Sequence, residues 1–235
     1  MNGGVLEVSL QGLVYAFIPA LAVLFIMWRW QAGTGTAVHA MLRMLVQLLA
    51  IGYVLIYISE SDNYWVIAGV LTIMIAIASW IAVRPLGASR RQSWPSSLVA
   101  IAITSVLVLA LVTQVVIGVE PWFSPRYVVP LGGMVVTGAM NAVSLAAERF
   151  QSETARDEPL LEARRSAFKT ALIPITNMLF AVGVVSLPGM MTGQILSGVS
   201  PLIAAKYQII VMAMFFGTGG IAAALYLQLE MRRTG

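Results

Sequence analysis

The sequence predicts an all-α integral membrane protein of about seven transmembrane helices, and three observations carry that expectation. Hydrophobic residues make up 59% of the chain and charged residues only 10%, where a soluble domain carries about 25% charged residues. Too few polar side chains remain to clothe a water-facing surface. The apolar residues gather into seven runs of membrane-spanning length, since about 20 helical residues cross a hydrocarbon core of about 30 Å. The basic residues collect on alternate connections between those runs. A closed barrel would need alternating segments of about 10 residues, which the runs are not. A helix, by contrast, satisfies its own backbone within one segment of lipid. Composition excludes disorder, collagen and an ordinary soluble enzyme, and with Cys 0 it excludes disulfides and thiolate metal sites.

The elements follow in order. No Lys or Arg lies between Met1 and Gly12, so the basic region of a cleaved signal is missing, and the first run, 9–28, is long enough to stay in the membrane. Gly33-Thr34-Gly35 turns the chain into the second run, 38–59, and Ser61-Asp62-Asn63 into the third, 64–83. Trp94-Pro95 precedes the fourth, 96–117, and Pro121 and Pro125 precede the fifth, 127–147. Residues 148–169 form the one long polar stretch. Its charges are mixed in sign, as on a solvated helical face. Pro159 follows acidic residues and is placed to start a short helix towards Lys169. The sixth run covers 170–187 and the seventh 202–229. No repeat is visible, and residues 1–235 read as a single polytopic domain with a cytosolic segment at 148–169.

Charge sets the orientation. With the N-terminus outside and the C-terminus inside, eleven of the 14 Lys and Arg residues fall on inner segments, and only Arg126 on an outer one. The predicted location is the plasma membrane (the inner membrane of a Gram-negative cell), crossed several times. Trp28, Trp30, Tyr64, Trp65, Trp80, Trp122 and Tyr127 stand at run ends, as an interfacial aromatic belt requires. The net charge of +4 fits contact with membrane lipid rather than nucleic acid.

No run holds an Asp or Glu in its middle, which argues against a proton carrier or a bare divalent-ion cage. The nearest oxygen ligands, Glu60, Asp62 and Glu120, lie on outer connections. A rhodopsin-type reading fails because Lys206 lies near a run end and the third run lacks an acid. His39, Arg43 and Gln47 share one helix face. They read either as Arg43 snorkelling to the interface or as a contact with substrate or a second subunit. Gly133, Thr137, Met140, Asn141 and Ser144 on the fifth run, and Thr170, Pro174, Asn177 and Ala181 on the sixth, read as close helix packing or as the lining of a substrate path, to which Met134 is also assigned. From Pro188 to Pro201 there is no charge, so this outer loop is expected in the interface or dipping back into the protein. Gln194 lies there. Met190 and Met191 read as packing or as soft metal ligands. There is no phosphate-loop motif, no H-E-x-x-H and no C-x-x-C, so no catalytic residue is assigned. The chain reads as a non-enzyme that binds no cofactor itself, and any ATP must be held by another chain.

The run from Leu187 to Met212, LPGMMTGQILSGVSPLIAAKYQIIVM, resembles the signature of the FetB (YbbM) permease family. Arg43-x-x-x-Gln47-Leu48, Pro130-x-x-Gly133-Met134 and Met140-Asn141 extend the resemblance over most of the chain. Two departures stand out. Gly138-Ala139 precedes Met140-Asn141 where the family often has Gly-Asn, and residues 153–166 hold no glycine. The family comprises membrane subunits of ABC transporters linked in bacteria to iron export and in plants to aluminium tolerance. The resemblance implies a dimeric permease: two copies of this chain paired with a separate ATPase that holds ATP and Mg. It implies that Glu153, Glu158, Glu162, Arg164 and Arg165 form the region that meets that ATPase. It also implies a metal, or a metal complex, as the exported solute. The rival reading is a membrane scaffold or receptor that recruits a cytosolic partner.

Overall fold

Proline and glycine divide this apolar chain at its turns, and alanine and glycine decide how closely the helices between them pack. The computed structural model describes residues 9–59 and 63–234, which fall into two compact units, one up to Glu60 and one from Ser61 onward. The first unit holds α1 (Leu10–Tyr15), α2 (Ile18–Arg29) and α3 (Thr34–Ser59). Ser9 caps α1, its hydroxyl accepting from the Gly12 N–H at 3.1 Å. Pro19 lies in the first turn of α2, where its missing N–H leaves nothing unpaired. Gln31 and Gly33, at φ 55° and 74°, turn the chain into α3.

The second unit holds α4 (Tyr64–Ala82), a 3₁₀ turn at Arg84–Ser89, and α5 (Arg90–Ala110), which runs into a π-helical stretch at Leu111–Ile117. After these come α6 (Pro125–Thr154), α7 (Leu160–Ala181), α8 (Gly189–Leu196) and α9 (Pro201–Thr234). Gly87 kinks the 3₁₀ turn at φ 56°, a conformation that glycine adopts without steric cost. Arg90 then closes the end of α4. Its Nε and Nη2 donate to the Trp80 carbonyl at 3.1 and 2.7 Å, and its guanidinium lies 3.8 Å from the Trp80 ring centroid.

Helices α6 and α9 sit at the centre of this unit and pack on each other, on α5 and on α7, while α4 covers α5 and α6. Twelve of the twenty buried residues in the core cluster are alanines. In lipid, apolar side chains gain nothing by leaving one another's company, so small residues that let backbones approach supply the cohesion. At Gly219 an added Cβ would stand 3.4 Å from the Ala142 Cβ and 4.0 Å from the Gly138 carbonyl oxygen, which measures how near α9 runs to α6.

Among the described residues, six helical stretches are long and apolar enough to cross a membrane: Leu10–Arg29, Thr34–Ile51, Tyr64–Ala82, Arg84–Ile117, Pro125–Thr154 and Pro201–Arg233. The predicted run 170–187 differs. It is the second half of α7, and the helix stops at Ala181 because Val182 is extended and Gly183 takes φ 83°. Its helical part, 170–181, is about 18 Å long at 1.5 Å per residue. The uncharged loop that follows contains an eight-residue helix, α8. No strand is present among the described residues, only one isolated bridge between Val182 and Ser186.

Candidate functional site

The polar stretch 148–169 is the tip of a helical hairpin rather than a separate short helix. Helix α6 runs on to Thr154 and α7 begins at Leu160, with Pro159 before its first turn. The turn between them uses no glycine. Asp157 supplies the left-handed position at φ 60°, which Asp tolerates better than most residues. The Glu158 N–H donates to the Glu153 carbonyl at 3.3 Å and closes the turn.

Below the turn, three side chains lock the two helices together. The Glu153 carboxylate accepts from the Ser166 hydroxyl at 2.9 Å and pairs with Arg149 at 2.5 Å, and Arg149 Nε donates to Ser166 Oγ at 3.1 Å. Glu153 is 8% exposed, a setting in which a carboxylate must be both paired and hydrogen-bonded. Arg164 ties the hairpin to α9, donating to Gln228 Oε1 at 3.3 Å. Of the residues predicted to meet a partner, Glu158, Glu162 and Arg165 are exposed and Arg164 is half-buried. Glu153 instead faces the hairpin interior. Glu162 and Arg165 pair at 3.2 Å in the open, an interaction of little energetic weight.

Sequence reasoning missed the acid beside this hairpin. Glu230 is 3% exposed and lies one residue beyond the predicted end of the last run. Ser93 donates to Glu230 Oε2 at 2.9 Å, and Arg233 reaches the same oxygen at 2.6 Å and Ser93 Oγ at 3.2 Å. With Tyr226 and Gln151 they line a cavity of about 170 Å³. The i, i+3 spacing of Glu230 and Arg233 was readable as a helical pair. Ser93, which buries the acid against α5, is 137 residues away in sequence.

The candidate path residues are dispersed. Arg43 and Gln47 are exposed on α3 in the first unit. In the second, Met134 is half-buried on α6, while Asn141 and Asn177 are exposed on α6 and α7. Gln194 on α8 is half-buried, and its Oε1 finds no donor among the described residues. Met190 and Met191 are both half-buried on α8, but only Met191 lines a cavity of about 440 Å³, opposite Gln208 and Met212 on α9. Neighbouring residues on a helix point about 100° apart, which separates the two thioethers. No group of three or more His, Asp or Glu side chains able to hold a metal occurs among the described residues. Glu60 and Asp62 lie outside those residues, and Glu120 is exposed.

Comparison with known proteins adds an independent line. The sequence model of the family described as "Uncharacterised protein family (UPF0014)" matches residues 10–164 and 156–234. The chain is 32% identical over 227 residues to UPF0014 membrane protein slr1647 of Synechocystis, covering 88% of each chain. It is 31% identical over 206 residues to protein ALUMINUM SENSITIVE 3 of Arabidopsis thaliana, covering 80% of this chain and 73% of that one. It is 28% identical over 206 residues to the probable iron export permease protein FetB of Escherichia coli, covering 81% of this chain and 78% of the relative. No solved structure matches.

Proposed function

Since the chain belongs to the UPF0014 family of membrane proteins, we propose that it is the permease subunit of an ATP-driven exporter. In this reading it works as a homodimer with a separate ATPase that binds ATP and Mg. The α6–α7 hairpin is the observation that carries the reading. Its tip, residues 155–159, is exposed, charged and shaped by a single turn, while its base is fastened by Glu153, Arg149 and Ser166. A tip anchored in this way transmits displacement instead of absorbing it. When the partner ATPases close, pressure on Arg156, Asp157 and Glu158 moves α6 and α7 together. The Arg164–Gln228 bond carries the movement to α9, and a path opens between the two copies.

A relative named as a probable iron export permease supports a metal as the solute. The absence of Asp and Glu from the middles of the predicted runs and the lack of a ligand cluster among the described residues favour a complexed ion over a bare one. Met190 and Met191 as direct ligands remain a separate proposal, tested by changing both to Leu and measuring metal-dependent transport.

The hairpin is tested by charge. Glu158→Lys with Glu162→Lys is expected to weaken co-purification of the ATPase about tenfold, because rim charges steer and register such contacts. The melting temperature of the purified permease should not change. Undiminished co-purification overturns the docking role. ATP hydrolysis by the chain alone overturns the division of labour, and absence of ATP-dependent flux in vesicles holding both subunits favours a scaffold.

A further inference from the structure

Between α7 and α9, at the base of the hairpin, runs a groove of about 340 Å³. Arg164, Arg165 and Phe168 line it from α7, and Ala224, Leu227 and Gln228 from α9. It lies where charge gives way to apolar sequence on both helices. Lys169 is the last charged residue of α7, and α9 has no charged residue between Lys206 and Glu230. Helices with this pattern pass from the headgroup region into oil at that level.

Three observations define the occupant. The first is charge without a counter-charge. Arg164 is half-buried, yet its one hydrogen-bond partner among the described residues is the neutral Gln228 amide oxygen at 3.3 Å. A guanidinium carries five N–H donors, and a cation drawn out of water calls for an anion. Arg165 adds a second guanidinium, whose pairing with Glu162 lies in the open and is weak. The second is sign. No carboxylate lines the groove, so nothing there holds the ammonium of a zwitterion. The third is the apolar wall of Phe168, Ala224 and Leu227. A free phosphate would leave it uncovered, whereas an acyl chain would lie along it. The furrow also continues down α9. A Cβ added at Gly220 would stand 3.9 Å from Leu172 Cδ2, and one at Gly217 would meet nothing within 4 Å. From Gln228 to Gly217 is about 16 Å at 1.5 Å per residue, close to one leaflet's share of an oily layer of about 30 Å. Basic pockets between spans on the cytosolic side suit anionic headgroups.

We infer that this groove binds an anionic phospholipid, with its phosphate on Arg164 and Arg165 and one acyl chain along Phe168, Leu227 and Ala224. The Gln228 bond uses one Arg164 donor and leaves the others for the phosphate. The choice of leaflet follows from the predicted topology. The binding itself depends neither on that topology nor on the permease reading.

The test uses the full chain, stripped of lipid in detergent, and counts bound lipid by native mass spectrometry. The probes are dioleoyl phosphatidylglycerol and dioleoyl phosphatidylcholine, which share their chains and differ in net charge. Phosphatidylglycerol is expected to bind about tenfold tighter. Arg164→Gln with Arg165→Gln should erase that preference and keep the phosphatidylcholine affinity. Ala224→Phe, which fills the apolar half, should weaken both lipids. Arg91→Gln with Arg232→Gln removes two exposed cations elsewhere and should leave the preference intact. Melting curves check that each variant folds; should the Arg164 and Arg165 pair not fold, Arg165→Gln alone and Ala224→Phe decide. Equal affinity for the two lipids, or a preference that survives loss of both groove arginines, overturns the inference. A preference lowered equally by the Arg91 and Arg232 pair overturns it in favour of unlocalised attraction. Displacement of the lipid by equimolar inorganic phosphate overturns it in favour of a free-anion site. A dimer that dissociates in the Arg164 and Arg165 variant, with no lipid preference in the unchanged chain, overturns it in favour of a second copy on this face. The measurement needs no ATPase, so a failed partner co-purification leaves this result standing, and loss of the lipid preference leaves the hairpin tip's role standing.

Discussion

Glu153 and Glu158 are five residues apart on one charged stretch, yet they do different work. Glu158 is exposed at the tip, whereas Glu153 is buried between Arg149 and Ser166. Glu153→Ala should therefore lower stability by about 1–2 kcal/mol, the value of a charged hydrogen-bond set discounted for the partial exposure of Arg149. A fall of several degrees in melting temperature in detergent would register it, with ATPase co-purification nearly unchanged. Docking lost as fully as in the Glu158 and Glu162 charge reversal would contradict this assignment. Half of the Glu153 arrangement is legible in the sequence, because Arg149 lies four residues before it on a helix. Ser166 is not, since it comes from the other side of a turn that must form first. Glu230 escaped for the same reason: its burial depends on Ser93 of α5.

At the scale of the helices, run length and hydropathy locate the spans well, and the prolines at 121, 125, 159 and 201 mark where several begin. Helix ends inside apolar sequence are less legible. Residues 182–187 are as apolar as the run before them, but Gly183 at positive φ has left the helix, and hydropathy does not register a dihedral angle. Helix α8 is hidden likewise, in a stretch whose lack of charge reads as an outer loop at the interface or dipping back into the protein. Packing between helices follows from side-chain size. Gly219→Leu has no room beside Ala142 and the Gly138 carbonyl, so it should wedge α9 from α6 at a cost of about 1–3 kcal/mol. Thermal unfolding in detergent would measure this, and an unchanged melting temperature would mean that α9 approaches α6 less closely.

For the whole molecule, the distribution of Lys and Arg predicts which ends of the second unit face which side. The chain has no cysteine, so single introduced thiols report without background. Asp157→Cys is expected to react with an impermeant reagent only from the cytosolic side, and Ser197→Cys only from the opposite side. Labelling of both from one side would refute the predicted topology. Helices α6 and α9 have 30 and 34 residues, about 45 and 51 Å at 1.5 Å per residue, against an oily layer of about 30 Å. Even leaning by about 20° they outreach it by more than about 10 Å. The excess belongs at the ends bearing Arg149, Glu153, Gln228 and Glu230, whose side chains are costly to sink in oil. On the predicted topology the hairpin tip would then stand above the phosphate headgroups. A water-soluble protein can grip it without brushing the leaflet, and the strength of that grip should not depend on which lipids the leaflet contains.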